Sequence, residues 1–266
     1  GSGKTTTLYA ALAHLNAPSV KIITVEDPVE YRLDRVTQVQ VNPKIGLDFG
    51  RVLRTALRQD PDILLVGEMR DRETVEIGLR GAMTGHLVFS TLHTIDAIAT
   101  VHRLLDMGAA GYMIAAALHG VVAQRLVRRI CTDCATEAQP TPNELAWLAA
   151  CRPALAANPP RFLAGAGCTY CNLTGYRGRA PVYELLDVDR ALADAVRRGA
   201  FEEFARGART RPGYVPLAHG ALDLALAGVT SLAEAMAVGS HLEESVDAGG
   251  EALGEAHVDR LLGGQC

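Results

Sequence analysis

Asp60-Pro61-Asp62-Ile63-Leu64-Leu65-Val66-Gly67-Glu68 is a short apolar run opened by a turn and closed by a glycine and a carboxylate. Four consecutive aliphatic residues without polar alternation fit a strand covered on both faces, as in a parallel sheet. Asp60-Pro61 also ends the helix before it, because the residue preceding a proline is driven out of helical geometry. The same texture repeats outward from this run. Upstream, Val20–Val25 is β-rich and bounded by Pro18 and Pro28, and Val36–Val41 alternates valine with polar residues. Downstream, Leu87–Thr91 reads as another strand. Helical spacing fills the gaps at residues 5–15, Phe49–Gln59, Arg72–Met83, Ile95–Asp106 and Tyr112–Leu118. Strands alternating with helices predict a mostly parallel α/β sheet whose ligands gather at the strands' carboxyl ends.

Composition bounds what such a chain can be. Its 266 residues, 48% hydrophobic and 21% charged, suffice for one core with small satellites and are globular rather than disordered. A net charge of −4 excludes a dedicated nucleic-acid-coating protein, which reads basic. No apolar run approaches the roughly 18–20 residues that span a bilayer, and no charged-then-apolar leader opens the chain, so secretion or insertion is not expected.

Four segments beside the strands carry chemistry. The chain opens Gly1-Ser2-Gly3-Lys4-Thr5-Thr6-Thr7, and in the phosphate-loop pattern G-x-x-x-x-G-K-[ST] its Gly3-Lys4-Thr5 are the closing residues. The opening glycine and the strand feeding the loop then fall upstream of residue 1, so the chain reads as the C-terminal part of a longer protein. In such a loop Lys4 reaches the β- and γ-phosphates and the Thr5 hydroxyl ligates Mg²⁺. The plain alternative is a glycine-rich helix start with an exposed lysine. Thr24-Val25-Glu26-Asp27-Pro28-Val29-Glu30-Tyr31 sets three carboxylates within five residues, able to orient water or accept its proton, unless they are solvated turn residues. Glu68 closes the Ile63–Val66 strand as a Walker B acid does, one glycine later than the usual aspartate. Thr84–Thr94 brackets a strand with His86 and His93. His93, at the carboxyl end beside Ser90, Thr91 and Thr94, is the one placed to touch a γ-phosphate; His86 reads as structural or as a subunit contact.

Together, Gly1–Thr7, Thr24–Tyr31, Arg58–Asp71 and Thr84–Thr94 resemble the Walker A, Asp box, Walker B and His box of the secretion ATPases that drive type II secretion and type IV pilus dynamics. The likeness extends over about residues 1–237. It implies a RecA-like P-loop NTPase core, working as a homo-hexamer on ATP and Mg²⁺. Gly1, Ser2, Gly3, Lys4, Thr5 and Thr6 would hold the nucleotide, with Glu26 and Asp27 in support. Glu30 would polarise the attacking water, Glu68 would be the Walker B acid, and His93 would sense phosphate. Ile95 departs from the asparagine usual there, while Asp96 is kept. The resemblance also places arginine fingers in a domain preceding the loop, so little ATPase activity is expected of the chain as given.

Cys131-Thr-Asp-Cys134 and Cys168-Thr-Tyr-Cys171 form two C-x₂-C pairs with 33 residues between them. Two such knuckles supply four thiolates, the usual closed structural Zn²⁺ site. The long separation requires a helix, near Asn143–Ala150, to fold out between them. Disulfides are the alternative, disfavoured in a reducing compartment, and redox catalysis is a weaker one, since nothing here resembles a thioredoxin context. Cys151 and Cys266 lie outside this ligand spacing and are read as bystanders to it. Within the family resemblance, the tetracysteine favours assembly or export over retraction, as does the run Gly175–Arg179 leading to Tyr183–Leu186. Arg125, Arg128 and Arg129 serve a nucleotide, a neighbouring subunit or simply a solvated basic face.

The expected organisation is an ATPase core over 1–130, a zinc-binding subdomain over 131–187, a C-terminal helical region over 188–239 and a flexible tail over 240–266, weakly amphipathic at Ala256–Leu262. The expected function is a cytoplasmic motor, peripheral to the inner membrane, adding pilins or pseudopilins through a membrane platform protein, with nucleic acid not its partner. A DNA-transfer ATPase and an inactive zinc-ribbon module stand as alternatives.

Overall fold

The computed structural model describes residues 1–247 of the 266. Packing divides the chain into two compact units that do not follow it in order. One comprises Gly3–Val122 with Leu185–Tyr214; the other comprises Gly1–Ser2, Ala123–Glu184 and the chain from Val215 onward.

The first unit opens with helix α1 (Lys4–Leu15), followed by strands β1 (Ile22–Glu26) and β2 (Val36–Gln40), helix α2 (Phe49–Ala56), strand β3 (Ile63–Val66), helix α3 (Arg72–Met83), strand β4 (Leu87–Ser90), and helices α4 (Ala99–Asp106) and α5 (Gly111–Ala117). The four strands form one parallel sheet in the order β2-β1-β3-β4. Its two central strands, IITVE and ILLV, are buried at every position, which is why they lack polar alternation. Successive side chains of a strand face opposite ways. Ile22, Ile63 and Leu65 pack against Tyr9 and Leu12 of α1 on one face; Ile23, Val25, Leu64 and Val66 fill the other.

Two helices are shorter than their sequence patterns. The 49–59 pattern is α-helical only to Ala56, then tightens into a 3₁₀ turn at Leu57–Gln59 before Asp60 turns left-handed at φ 52°. The 95–106 pattern becomes helical only at Ala99. The Asp96 carboxylate accepts the Ala99 N–H at 2.6 Å and holds the preceding residues in a turn.

Two long strands were not expected at all. Strands β5 (Gly120–Ile130) and β8 (Tyr176–Asp187) pair with each other, and the division between the units falls within both. Between them lie β6 (Ala135–Ala138), α6 (Pro142–Cys151), α7 (Pro153–Ala157) and β7 (Phe162–Gly165). β6 and β7 form a small antiparallel ladder, with Ala135 opposite Gly165 and Ala138 opposite Phe162. α6 is the helix expected between the knuckles. Its start is a capping box: the Thr141 N–H donates to Glu144 at 2.7 Å, and Pro142 takes the first turn, where no N–H is needed.

After β8 the chain is helical, as expected, but it serves both units. α8 (Arg190–Arg197) and α9 (Phe201–Arg209) belong with the sheet, and α8 packs on α5. α10 (Leu217–Leu226) and α11 (Leu232–Asp247) belong with the cysteine-bearing unit and pack on each other. α11 continues past residue 239, where sequence texture suggested a tail. The expectations for residues 248–266, including the Ala256–Leu262 pattern, lie outside the described residues. Among the described residues no helix is long and apolar enough to cross a membrane.

Candidate functional site

Parallel register places three strand ends level. Val25 pairs with Val66, Val66 with Ser90, and Glu26 with Gln40. The residues just beyond therefore emerge along one edge: Asp27 after β1, Glu68 after β3, and Thr91–His93 after β4. Gly67 passes close to β1 at this edge. Its N–H donates to the Val25 carbonyl at 2.7 Å, and a Cβ there would meet the same oxygen at 3.1 Å.

The chains stay laced together past the strand ends. Thr91 Oγ1 donates to the Gly67 carbonyl at 2.7 Å, and the Met69 N–H donates to the Thr91 carbonyl at 3.1 Å. These bonds set Glu68 opposite His93, whose Nε2 stands 3.6 Å from one carboxylate oxygen; Arg70 reaches the other at 2.5 Å. The Glu68 side chain is only 12% exposed while that of His93 is 71% exposed. A sheltered carboxylate beside an open imidazole can orient water or hold a cation next to a phosphate. Arg70 was not singled out from the sequence, although it lies two residues from Glu68. His86, at the other end of β4, has Nδ1 2.8 Å from the Gly81 carbonyl and 3.1 Å from the Thr84 hydroxyl, a local structural role.

Lys4, Thr5 and Thr6 form the first turn of α1. Gly3 precedes them with φ 82°, a left-handed conformation that glycine adopts at no steric cost. Its carbonyl accepts the Thr7 N–H at 3.0 Å, and the remaining first-turn amides and helix dipole favour an anion at this end. Gly1 and Ser2 group with the other unit, where the Ser2 carbonyl accepts from Gln124 Nε2 at 2.8 Å.

The acidic segment divides. Asp27 and Glu30 are exposed, whereas Glu26 is 3% exposed and turned inward. Its carboxylate takes hydrogen bonds from the hydroxyls of Tyr9 and Thr24, and from Gln38 Nε2 at 3.3 Å. Burial and the neighbouring carboxylate push the Tyr9 hydroxyl up to about 12, so it keeps its proton. Spacing hides this network, since a tyrosine at a helix's buried position reads as core. The one available signal was a glutamate ending an otherwise apolar strand.

In the second unit the four cysteines converge. Cys131 and Cys168 place their sulfurs 3.8 Å apart, Cys134 and Cys171 3.9 Å, and Cys168 and Cys171 3.8 Å; all four lie within 4.8 Å of one another. A tetrahedron with Zn–S bonds of about 2.3 Å has edges of about 3.8 Å, so the set fits a tetrathiolate ion. None of the four is in a disulfide. Cys171 Sγ accepts the N–H groups of Cys168 and Gly175, each at 3.2 Å, and these donors hold its thiol down to about 6. The Cys131 N–H to Gly175 carbonyl bond, 2.9 Å, and the Ala166 N–H to Cys134 carbonyl bond, 2.9 Å, tie the knuckles together. In the same unit Arg128 lies over the Tyr176 ring and pairs with Glu234 at 2.7 Å, so its role is internal.

Residues 1–237 match the family model described as Type II/IV secretion system protein. The chain is 43% identical over 238 residues to the Type II secretion system protein HxcR of Pseudomonas aeruginosa, covering 90% of this chain and 46% of that protein. It is 44% identical to the Type II secretion system ATPase E of Vibrio cholerae, with the same coverage, and 44% identical to the Type IV pilus assembly ATPase PilB of Thermus thermophilus, covering 89% of this chain and 26% of that one. The chain thus spans less than half the length of these relatives. Among solved structures, the pilus retraction motor PilT with bound ADP aligns with a TM-score of 0.62 at 30% identity, over 90% of this chain and 58% of that one. The ATPase DotB of Legionella pneumophila shares the fold, with a TM-score of 0.64 at 22% identity over 94% and 58%. With the family model matched over residues 1–237, the chain that carries this parallel sheet and these four converging cysteines belongs to the Type II/IV secretion system protein family.

Proposed function

We propose that this chain is the nucleotide-hydrolysing part of an ATP-driven motor for type II secretion or type IV pilus assembly. The observation that carries this is the contact of Glu68 with His93 on the strand edge, in the unit whose first helix opens with Lys4 and Thr5. Lys4 and the first-turn amides hold the phosphates. The Thr5 hydroxyl and Glu68 would hold Mg²⁺, which when bound would neutralise charge on the phosphates. Glu30, exposed on the loop after β1, orients the attacking water, and His93 reads the γ-phosphate. Gly1, Ser2 and Thr6 support the phosphate side, and Asp27 the water side. Glu26 serves the reaction indirectly, from within the fold.

Cys131, Cys134, Cys168 and Cys171 would hold Zn²⁺, which would close the knuckles and do no chemistry, since four protein ligands would leave no open position. The motor works as a homo-hexamer at the cytoplasmic face of the inner membrane, on a membrane platform protein that receives pilins or pseudopilins. Assembly or export is favoured over retraction by identities of 43–44% to proteins named for secretion or pilus assembly.

ATP turnover by the whole protein tests this. Lys4→Ala and Glu68→Gln should each lower kcat by roughly 10²–10³-fold, the scale of losing one preorganised electrostatic contact, with the thermal midpoint unchanged. Turnover that survives both substitutions rules the proposal out.

A further inference from the structure

Tyr9 and Gln38 meet at a buried point behind the strand edge. Tyr9, on α1, is 1% exposed; Gln38, on β2, is half-buried; Glu26 ends β1 between them. A phenol has one proton, and the Tyr9 proton is given to Glu26. Its oxygen can then only accept, and two donors face it: the backbone N–H of Glu30 at 3.4 Å and Gln38 Nε2 at 3.3 Å. Gln38 also donates to the Tyr31 carbonyl at 3.1 Å, and its Oε1 accepts the Leu33 N–H at 2.7 Å. The neighbouring Gln40 accepts the Val29 N–H at 3.3 Å, and the Tyr9 ring meets Tyr31 edge-on with centroids 4.7 Å apart. The loop between β1 and β2 therefore has backbone groups at positions 29, 30, 31 and 33 satisfied by side chains rather than by a strand partner.

We propose that Tyr9 and Gln38 are positioning residues that hold the Val29–Leu33 loop, and with it Glu30, in register with the phosphate-binding turn of α1. Tyr9 is five residues from Lys4 on the same helix, about 7.5 Å along its axis. One rigid helix thus carries the phosphate-side residues and fixes the backbone of the residue assigned to water. Neither side chain touches substrate. Glu26 is the anchor of this clamp, which explains why a carboxylate at a strand end is turned away from the edge. The catalytic part of the inference rests on the proposed ATPase function; the structural part does not.

The test uses Tyr9→Phe, which keeps the ring and removes the hydroxyl, and Gln38→Leu, which removes the amide at a half-buried site. Hydrogen exchange in the full-length protein should speed up about tenfold across residues 29–33 in each variant, while β1 and β3 stay protected. The kcat for ATP should fall by roughly tenfold to a hundredfold, as expected for a misplaced reacting group, with the Kd of a fluorescent ATP analogue unchanged within about twofold. The double variant should be no worse than the more severe single one, because both act through one network. Wild-type exchange at residues 29–33 in both variants overturns the clamp. Faster exchange with unchanged kcat overturns its role in catalysis. ATP turnover that persists in Lys4→Ala overturns the ATPase function instead, and the exchange measurement then decides the clamp alone.

Discussion

Glu68 and His93 meet at an open rim, whereas Cys131, Cys134, Cys168 and Cys171 meet with their sulfurs turned on one another. The rim is set by register between adjacent parallel strands and leaves an imidazole in water. The cluster is set by two knuckles 37 residues apart in sequence, tied by a short antiparallel ladder, with Cys131 1% and Cys171 5% exposed. The contrast separates an open edge with room for a ligand from a set of four thiols that face one another. It also separates two sources of rigidity. The rim inherits its geometry from the core of the parallel sheet, while the cluster brings four thiols together at the spacing a metal ion would need.

Metal removal should break this comparison most severely. Structural Zn²⁺ is worth about 10–16 kcal/mol of apparent binding free energy in small domains, so chelation of reduced protein should unfold residues 131–175 and spare the parallel sheet. Exchange protection that stays equal in the two regions after chelation would falsify the closed-site assignment. Next comes Leu12→Ala in the sheet unit. Leu12 is fully buried against Ile22, Ile63 and Leu65, and truncation should cost about 2–5 kcal/mol in denaturant titration while leaving one Zn²⁺ per chain. A loss of bound zinc in that variant would show that the two regions do not hold themselves up independently.

The smallest effects come from matched helix caps. Asp71 accepts the Thr74 N–H at 2.8 Å and Thr141 caps α6, so alanine at either position should cost about 1 kcal/mol. Asp71 directly follows the Glu68–Arg70 pair, so Asp71→Ala should also reduce ATP turnover and Thr141→Ala should not. Equal turnover in the two variants would mean that α3 does not steady the rim.

Much of the first unit was legible because its code is local. Ile63–Val66 and Arg72–Met83 were bounded to the residue, since a doubly buried strand and a helix with a clear apolar phase each carry their signal internally. The 120–130 and 176–187 strands were not. Along β8 the inward residues are Ala180, Val182, Glu184 and Leu186, while the outward ones include Pro181, Tyr183 and Leu185. From Pro181 to Leu185 the outward positions are as apolar as the inward ones, and the buried Glu184 breaks the alternation. Glu184 is accommodated by the Leu217 N–H at 3.2 Å, a partner 33 residues away that no window could contain. The same holds for Glu26: three carboxylates within five residues looked like one acidic cluster, and only Tyr9 and Gln38, from other elements, show that one of them points inward. The converging cysteines needed no such partner, because their spacing already specified the knuckles.

The level strand ends have a consequence for how this chain tolerates change. A substitution within Ile63–Val66 alters packing but leaves the count of residues to Glu68 intact. Loss of one residue from that strand shifts the carboxylate by one pleat, about 3.3 Å, and turns it to the opposite face of the sheet. The strand therefore works as a ruler, so variation by point replacement should be common there while insertions and deletions collect in the loops on the far edge.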